Sequence, residues 1–239
     1  MKKILIWPYQ LYEFLFFIPY LIASTIFFGT IALILAFTIS PRAGSLICGV
    51  TWARLLGYLT PIFVNVVGRN NVDMKQSYVV IANHQSQYDI LVLYGWLGID
   101  FKWIMKMELR SVPVLGVACE KVGHIFIDRS NRKKAFESLN KAKKTITGGT
   151  SVLFFPEGTR SISGELGALK KGAFRMALDL ELPILPVSIE GTRNVLPSQS
   201  IRAFPGKVKM TIHEPIATDG YDQSNVEELM ETARKVLSR

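Results

Sequence analysis

The stretch Val79-Val80-Ile81-Ala82-Asn83-His84-Gln85-Ser86-Gln87-Tyr88-Asp89-Ile90 decides how the rest of the chain is read. Its β-branched start predicts a buried strand, and an apolar helical pattern follows over residues 86–97. His84 and Asp89 lie five positions apart, which on a regular helix leaves two residues about 140° out of line. If they meet, His84 must stand on the turn before the helix and Asp89 must reach back from its first turns. A His held by a carboxylate at the C-terminal end of a strand is a plausible general base, with its tautomer fixed and its imidazolium stabilised. The same residues also fit a structural Asn-His turn beside a capping carboxylate. The short spacing does not choose between them.

Outward from this unit, short apolar runs at 62–67, 78–82, 103–105, 124–127, 152–155, 184–189 and 208–212 read as strands. Helical patterns over 86–97, 131–146, 170–180 and 224–237 lie between and after them. This alternation predicts an α/β domain over 61–239, a largely parallel sheet flanked by helices. Ligands of such sheets gather outside the carboxyl ends of the strands, where Asn83-His84, Asp128-Arg129 and Pro156-Glu157-Gly158 fall.

The N-terminal region has a different character. No charged residue occurs from 14 to 40, more than the roughly 20 residues needed to cross a bilayer. Lys2 and Lys3 precede it with Trp7, Tyr9 and Tyr12, aromatics suited to a membrane–water interface. The run is too long for a signal-peptide h-region, and no small-residue cleavage site closes it. Ser40-Pro41 reads as an N-cap with Pro at the first helical position, opening a second apolar helix over 41–59 that carries Arg42 and Arg54. Residues 1–60 are therefore expected to form a two-helix membrane anchor. Positive charge flanks the first apolar segment on both sides, which favours a monotopic or re-entrant hairpin with Arg42 and Arg54 reaching headgroups. A single transmembrane helix is the alternative.

The 239 residues, 49% of them hydrophobic, suffice for one sizeable core. A formal charge of +9 and a pI near 9.6 suit nucleic acid, an anionic membrane surface or a phosphorylated substrate. Two cysteines, Cys48 and Cys119, argue against a disulfide scaffold and fit a reducing compartment. His84, His124 and His213 show no metal-ligand spacing, so no metal is expected. His124, inside a strand pattern, reads as a packing residue. The basic helix at 131–146 is amphipathic, and with no aromatic–basic platform in the chain, no nucleic-acid partner is expected.

Three further stretches end strands in chemistry-bearing residues. Phe155-Pro156-Glu157-Gly158-Thr159-Arg160 stops a strand at Pro156 and turns; Gly158 permits close backbone approach, and the Arg160 fork suits phosphate or carboxylate. A surface turn with a local Glu–Arg pair is the simpler reading. Gly123 to Arg129 is an apolar strand ending in Asp128-Arg129, and Lys106-Met107-Glu108-Leu109 adds a cation after another strand. Gly167 to Gly172 has P-loop spacing without the following Lys and Ser/Thr, and no Gly-x-Ser-x-Gly elbow occurs.

Taken in order, Asn83-His84-x4-Asp89, Gly123-x2-Phe126-Ile127-Asp128-Arg129, Phe155-Pro156-Glu157-Gly158-Thr159-Arg160 and Leu182-Pro183-Ile184-Leu185-Pro186-Val187 resemble the four motifs of the 1-acyl-sn-glycerol-3-phosphate acyltransferases. The likeness spans about residues 60–215, and the two-helix N-terminal element is similar to that of bacterial members. The resemblance implies an enzyme of phospholipid biosynthesis. It would move an acyl chain from acyl-CoA or acyl carrier protein, as co-substrate and with no cofactor, to lysophosphatidic acid, giving phosphatidic acid. His84 would be the general base and Asp89 its orienting carboxylate. Lys106, Arg129, Glu157, Gly158 and Arg160 match positions associated with the substrate phosphate, and Pro186 lies in the motif linked to the acyl or donor side. Membrane lipids would be its partners and the cytoplasmic face of a membrane its place. Glycerol 3-phosphate or another lysophospholipid as acceptor, and a non-catalytic lipid-binding protein, are the alternatives.

Overall fold

The computed structural model describes residues 6–128 and 130–238. Helix α1 (Ile6–Tyr12), a π-helical turn (Glu13–Phe17) and α2 (Ile18–Thr38) run on without a break. The Ser40 hydroxyl then accepts the Ala43 N–H at 3.1 Å with Pro41 at the first helical position, so the cap expected from the sequence starts the second arm. That arm comprises α3 (Pro41–Ala43), a π-helical segment (Gly44–Gly49) and α4 (Val50–Leu59). The arms are antiparallel: the Trp52 indole N–H donates to Thr25 Oγ1 at 3.2 Å, and the Tyr12 hydroxyl to the Leu59 carbonyl at 3.0 Å.

From Pro8 to Thr38 the first arm is long and apolar enough to cross a membrane, and only 11% of its most apolar stretch is buried. Ile22, Phe27, Ile34 and Phe37 stand exposed along it. Exposed apolar surface on this scale is that of a membrane-associated element, because water penalises it throughout. Arg54 Nε donates to the Gly95 carbonyl at 2.7 Å, and Arg42 Nε lies 3.9 Å from Asp100 Oδ2. Both guanidiniums thus have protein partners that a purely headgroup-seeking role did not anticipate.

Seven strands form one sheet: β1 (Ile62–Val67), β2 (Val79–Ala82), β3 (Asp100–Lys106), β4 (Ile125–Ile127), β5 (Thr150–Phe154), β6 (Ile184–Glu190) and β7 (Gly206–Ile212), in the order β1-β7-β6-β2-β5-β3-β4. Every pairing is parallel except β6 with β7. The connection between those two carries only the short α9 (Thr192–Val195), and a chain that does not cross back over the sheet returns antiparallel.

Alternate strand residues face opposite layers. Val80, Ala82, Leu153, Leu185 and Val187 join a core with α4 and α5 (Tyr88–Trp96). Val79, Ile81, Val152, Phe154 and Ile184 join the other, under α7 (Arg132–Ala142), α8 (Gly172–Leu180) and α10 (Val226–Leu237). Burial on both faces explains why these strands read as unbroken apolar runs. The strands and helices expected from the sequence are present. Helix α6 (Leu115–Lys121) and α9 were not foreseen, since neither is long enough to display a 3.6-residue period.

Candidate active site

Strand β2 ends at Ala82, and the turn 83–87 delivers His84 in front of α5, with Asp89 in that helix's first turn. The five-residue spacing allows them to meet only in this arrangement. His84 Nδ1 lies 2.8 Å from Asp89 Oδ2, and the carboxylate also accepts the backbone N–H of Gln85 at 2.6 Å and of Ser86 at 2.8 Å. The Asp89 side chain is 0% exposed and that of His84 13%. With an acceptor-only carboxylate on Nδ1, the ring carries its proton there and leaves the Nε2 lone pair for chemistry. Among the described residues Nε2 has no hydrogen-bond partner.

The turn is fixed from several sides. The Asn83 side-chain amide closes a pair of hydrogen bonds with the backbone of Ile189, at 2.7 and 2.9 Å. The Ser86 hydroxyl accepts the Tyr88 N–H at 3.1 Å and donates to the Leu196 carbonyl at 2.7 Å, which holds it in place and away from any nucleophilic role. The Phe155 ring stacks on the His84 imidazole at 3.8 Å and 11°, and itself stacks on Trp103. Only an aromatic residue preceding Pro156 hints at this ring contact in the sequence.

The residues singled out for substrate phosphate separate into two groups. Lys106, the last residue of β3, and Arg160 line the same cavity as His84, with Gly158 and Thr159. Glu157 is spent on backbone: Oε1 accepts the His84 N–H and Oε2 the Gly167 N–H, both at 2.8 Å. Gly158 has φ +77°, a left-handed conformation in which an L side chain is strained, so glycine suits the turn that presents Arg160. Pro186 is buried within β6, opposite Ile81, and is not part of the cavity wall. Arg129 lies outside the described residues.

The cavity, about 660 Å³, runs from His84, Lys106 and Arg160 between the N-terminal arms and α6, past Phe28, Ala32, Cys48 and Val122. It also meets His124, whose Nδ1 accepts the Trp103 N–H at 3.3 Å while Nε2 pairs with the Tyr94 hydroxyl at 3.2 Å. Burial, reinforced by the nearby Lys102 ammonium, pushes the His124 pKa down to about 3, so this imidazole stays neutral. Burial pushes the Cys119 thiol up to about 12, which leaves it too little thiolate to act as a nucleophile. The arrangement offers one oriented base at the polar mouth of a long apolar cavity, with two cations beside it.

The sequence model of the family described as Acyltransferase matches residues 63–190. The 1-acyl-sn-glycerol-3-phosphate acyltransferase of Saccharomyces cerevisiae is 33% identical over 212 residues, covering 87% of this chain and 70% of the yeast protein. A chloroplastic 1-acyl-sn-glycerol-3-phosphate acyltransferase of Arabidopsis thaliana is 34% identical over 168 residues, 69% of this chain and 46% of that protein. The chain spans about half the length of several such curated relatives. Among solved structures, the 1-acyl-sn-glycerophosphate (LPA) acyltransferase PlsC from Thermotoga maritima superimposes with a TM-score of 0.83 at 29% identity, covering 100% of this chain and 95% of that one.

Proposed function

The chain belongs to the acyltransferase family, and from that premise we infer that it transfers an acyl chain from an acyl thioester to the sn-2 hydroxyl of 1-acyl-sn-glycerol 3-phosphate, making phosphatidic acid. The observation that carries this reading is the 2.8 Å His84 Nδ1–Asp89 contact, with His84 lining an apolar cavity that Lys106 and Arg160 also line. His84 Nε2 takes the proton of the 2-hydroxyl as its oxygen attacks the thioester carbonyl. Asp89 holds the ring and stabilises the imidazolium. The tetrahedral adduct expels the thiolate, which receives the proton from His84, so ester and free thiol form without a covalent acyl-enzyme. Lys106 and Arg160 hold the acceptor's phosphate. Glu157 acts on the site through the His84 backbone, and the role of Arg129 follows from its motif.

The cavity volume falls within the roughly 300–1,000 Å³ usual for small-ligand sites, and its apolar wall suits an acyl chain. In this reading residues 1–60 hold the catalytic domain, 61–239, on the cytoplasmic face of a membrane, so that the lipid acceptor reaches the site from the bilayer. Acyl-CoA and acyl carrier protein both satisfy the donor chemistry. The test is thiol release by purified protein given each donor with lysophosphatidate, glycerol 3-phosphate and neutral lysophospholipids. Turnover is expected with lysophosphatidate. Preference for another acceptor, or no thiol release, overturns the assignment.

A further inference from the structure

The two oxygens of Asp89 are served differently. Oδ2 takes the three N–H donors of His84, Gln85 and Ser86. Oδ1 takes the Thr192 hydroxyl at 2.5 Å, its one partner among the described residues. Both side chains are fully buried, so no water replaces a lost donor there.

The placement of Thr192 is itself built. Gly191 follows β6 with φ +92°, and a Cβ at that position would meet the Lys207 carbonyl at 2.3 Å, so only glycine makes this turn. Thr192 then opens α9. The residue that caps this one-turn helix is fastened to the same active-site loop, since the Leu196 carbonyl accepts the Ser86 hydroxyl and the Leu196 N–H returns to the Thr192 carbonyl at 2.9 Å. A segment 103 residues away in sequence thus supplies one aimed donor to the carboxylate.

We propose that Thr192 is a positioning residue for the His84–Asp89 pair, its hydroxyl fixing the plane of the Asp89 carboxylate so that Oδ2 faces the His84 Nδ1–H. Rotation about the carboxylate's terminal torsion, which is a broad well, swings both oxygens together. The Thr192 donor on Oδ1 adds to the three donors on Oδ2, narrowing that rotation and steadying the imidazole that Asp89 holds. Misplacement of a reacting group by about 1 Å costs on the order of 100-fold in rate. The proposal rests on the acyl-transfer reading above.

The experiment compares Thr192→Val, which keeps the shape and removes the donor, with Thr192→Ser, which keeps the donor. T192V is expected to lower kcat roughly 10- to 100-fold with both KM values unchanged, and T192S to recover most of it. Wild-type kcat in folded T192V, a change confined to KM, or a T192S variant as slow as T192V overturns the proposal. If T192V fails to fold, Thr192→Ala against Thr192→Ser repeats the comparison. A second readout needs no substrate: the downfield proton resonance of His84 Nδ1–H, identified by its loss in His84→Gln. It should persist in T192S and shift or vanish in T192V, and an unmoved resonance in T192V overturns the proposal. Absence of thiol release by the wild type refutes the acyl-transfer reading instead, and the resonance then decides on Thr192 alone.

Discussion

Two histidines line one cavity and are prepared for opposite purposes. His84 sits at the mouth with its Nδ1 on a buried carboxylate and its Nε2 open. His124 lies along the wall with both nitrogens occupied, one by the Trp103 N–H and the other by the Tyr94 hydroxyl, and among the described residues no carboxylate bonds to either. Burial with a nearby cation holds His124 neutral down to about pH 3. A histidine becomes a base through what is placed on its second nitrogen and through access to the first. Presence in a ligand cavity is not enough.

The comparison breaks most visibly at His84. Replacement by Ala should lower kcat by about 100- to 10,000-fold, the span that general-base assistance supplies, while leaving folding and lipid binding in place. Thiol release by the purified variant, with circular dichroism as the folding control, checks this. Appreciable residual turnover would mean the two histidines differ less than their surroundings imply.

A smaller effect is expected at Arg160, which lines the cavity with His84. Losing one charge-assisted contact to a phosphate costs about 1.5–3 kcal/mol, so Arg160→Ala should raise the acceptor KM roughly 10- to 100-fold with little change in kcat. Steady-state kinetics with lysophosphatidate varied at saturating donor measures it. A loss confined to kcat would remove Arg160 from ground-state phosphate binding.

The smallest effect on turnover, and a distinct one on stability, is expected at His124. Its folded pKa lies below the unfolded value near 6.5, so between about pH 6.5 and pH 3 the unfolded chain binds a proton that the fold excludes. Its contribution is therefore complete above pH 6.5 and is lost as the pH falls through that window. His124→Asn should flatten this part of the stability–pH curve and keep turnover well above that of the His84 variant. Denaturant midpoints of both proteins from pH 7 to pH 4 make the comparison, and parallel curves would refute the burial argument.

Much of this was legible in the chain itself. The apolar runs marked all seven strands, Ser40-Pro41 marked the cap between the two N-terminal arms, and the five-residue gap between His84 and Asp89 dictated a turn before the helix. Glu157 shows where such reading stops. Its motif grouped it with phosphate ligands, whereas its oxygens lie on the backbone of His84 and Gly167. Nothing local to residues 155–160 announces a partner 73 positions earlier. Thr192 and Phe155 were passed over for the same reason, since the groups they serve are brought to them by the sheet.

Local sequence is enough to specify the elements, the order of the motifs and the apolar N-terminal arms, because periodicity, caps and turn residues act over a few positions along the chain. The tertiary structure alone decided that β7 runs against β6, that the N-terminal arms close a cavity over His84 and Trp103, and that Thr192 reaches Asp89 across 103 residues. These depend on which strand ends become neighbours when both faces of the sheet are buried. That choice is made by the packing of the whole core and leaves no trace in local spacing.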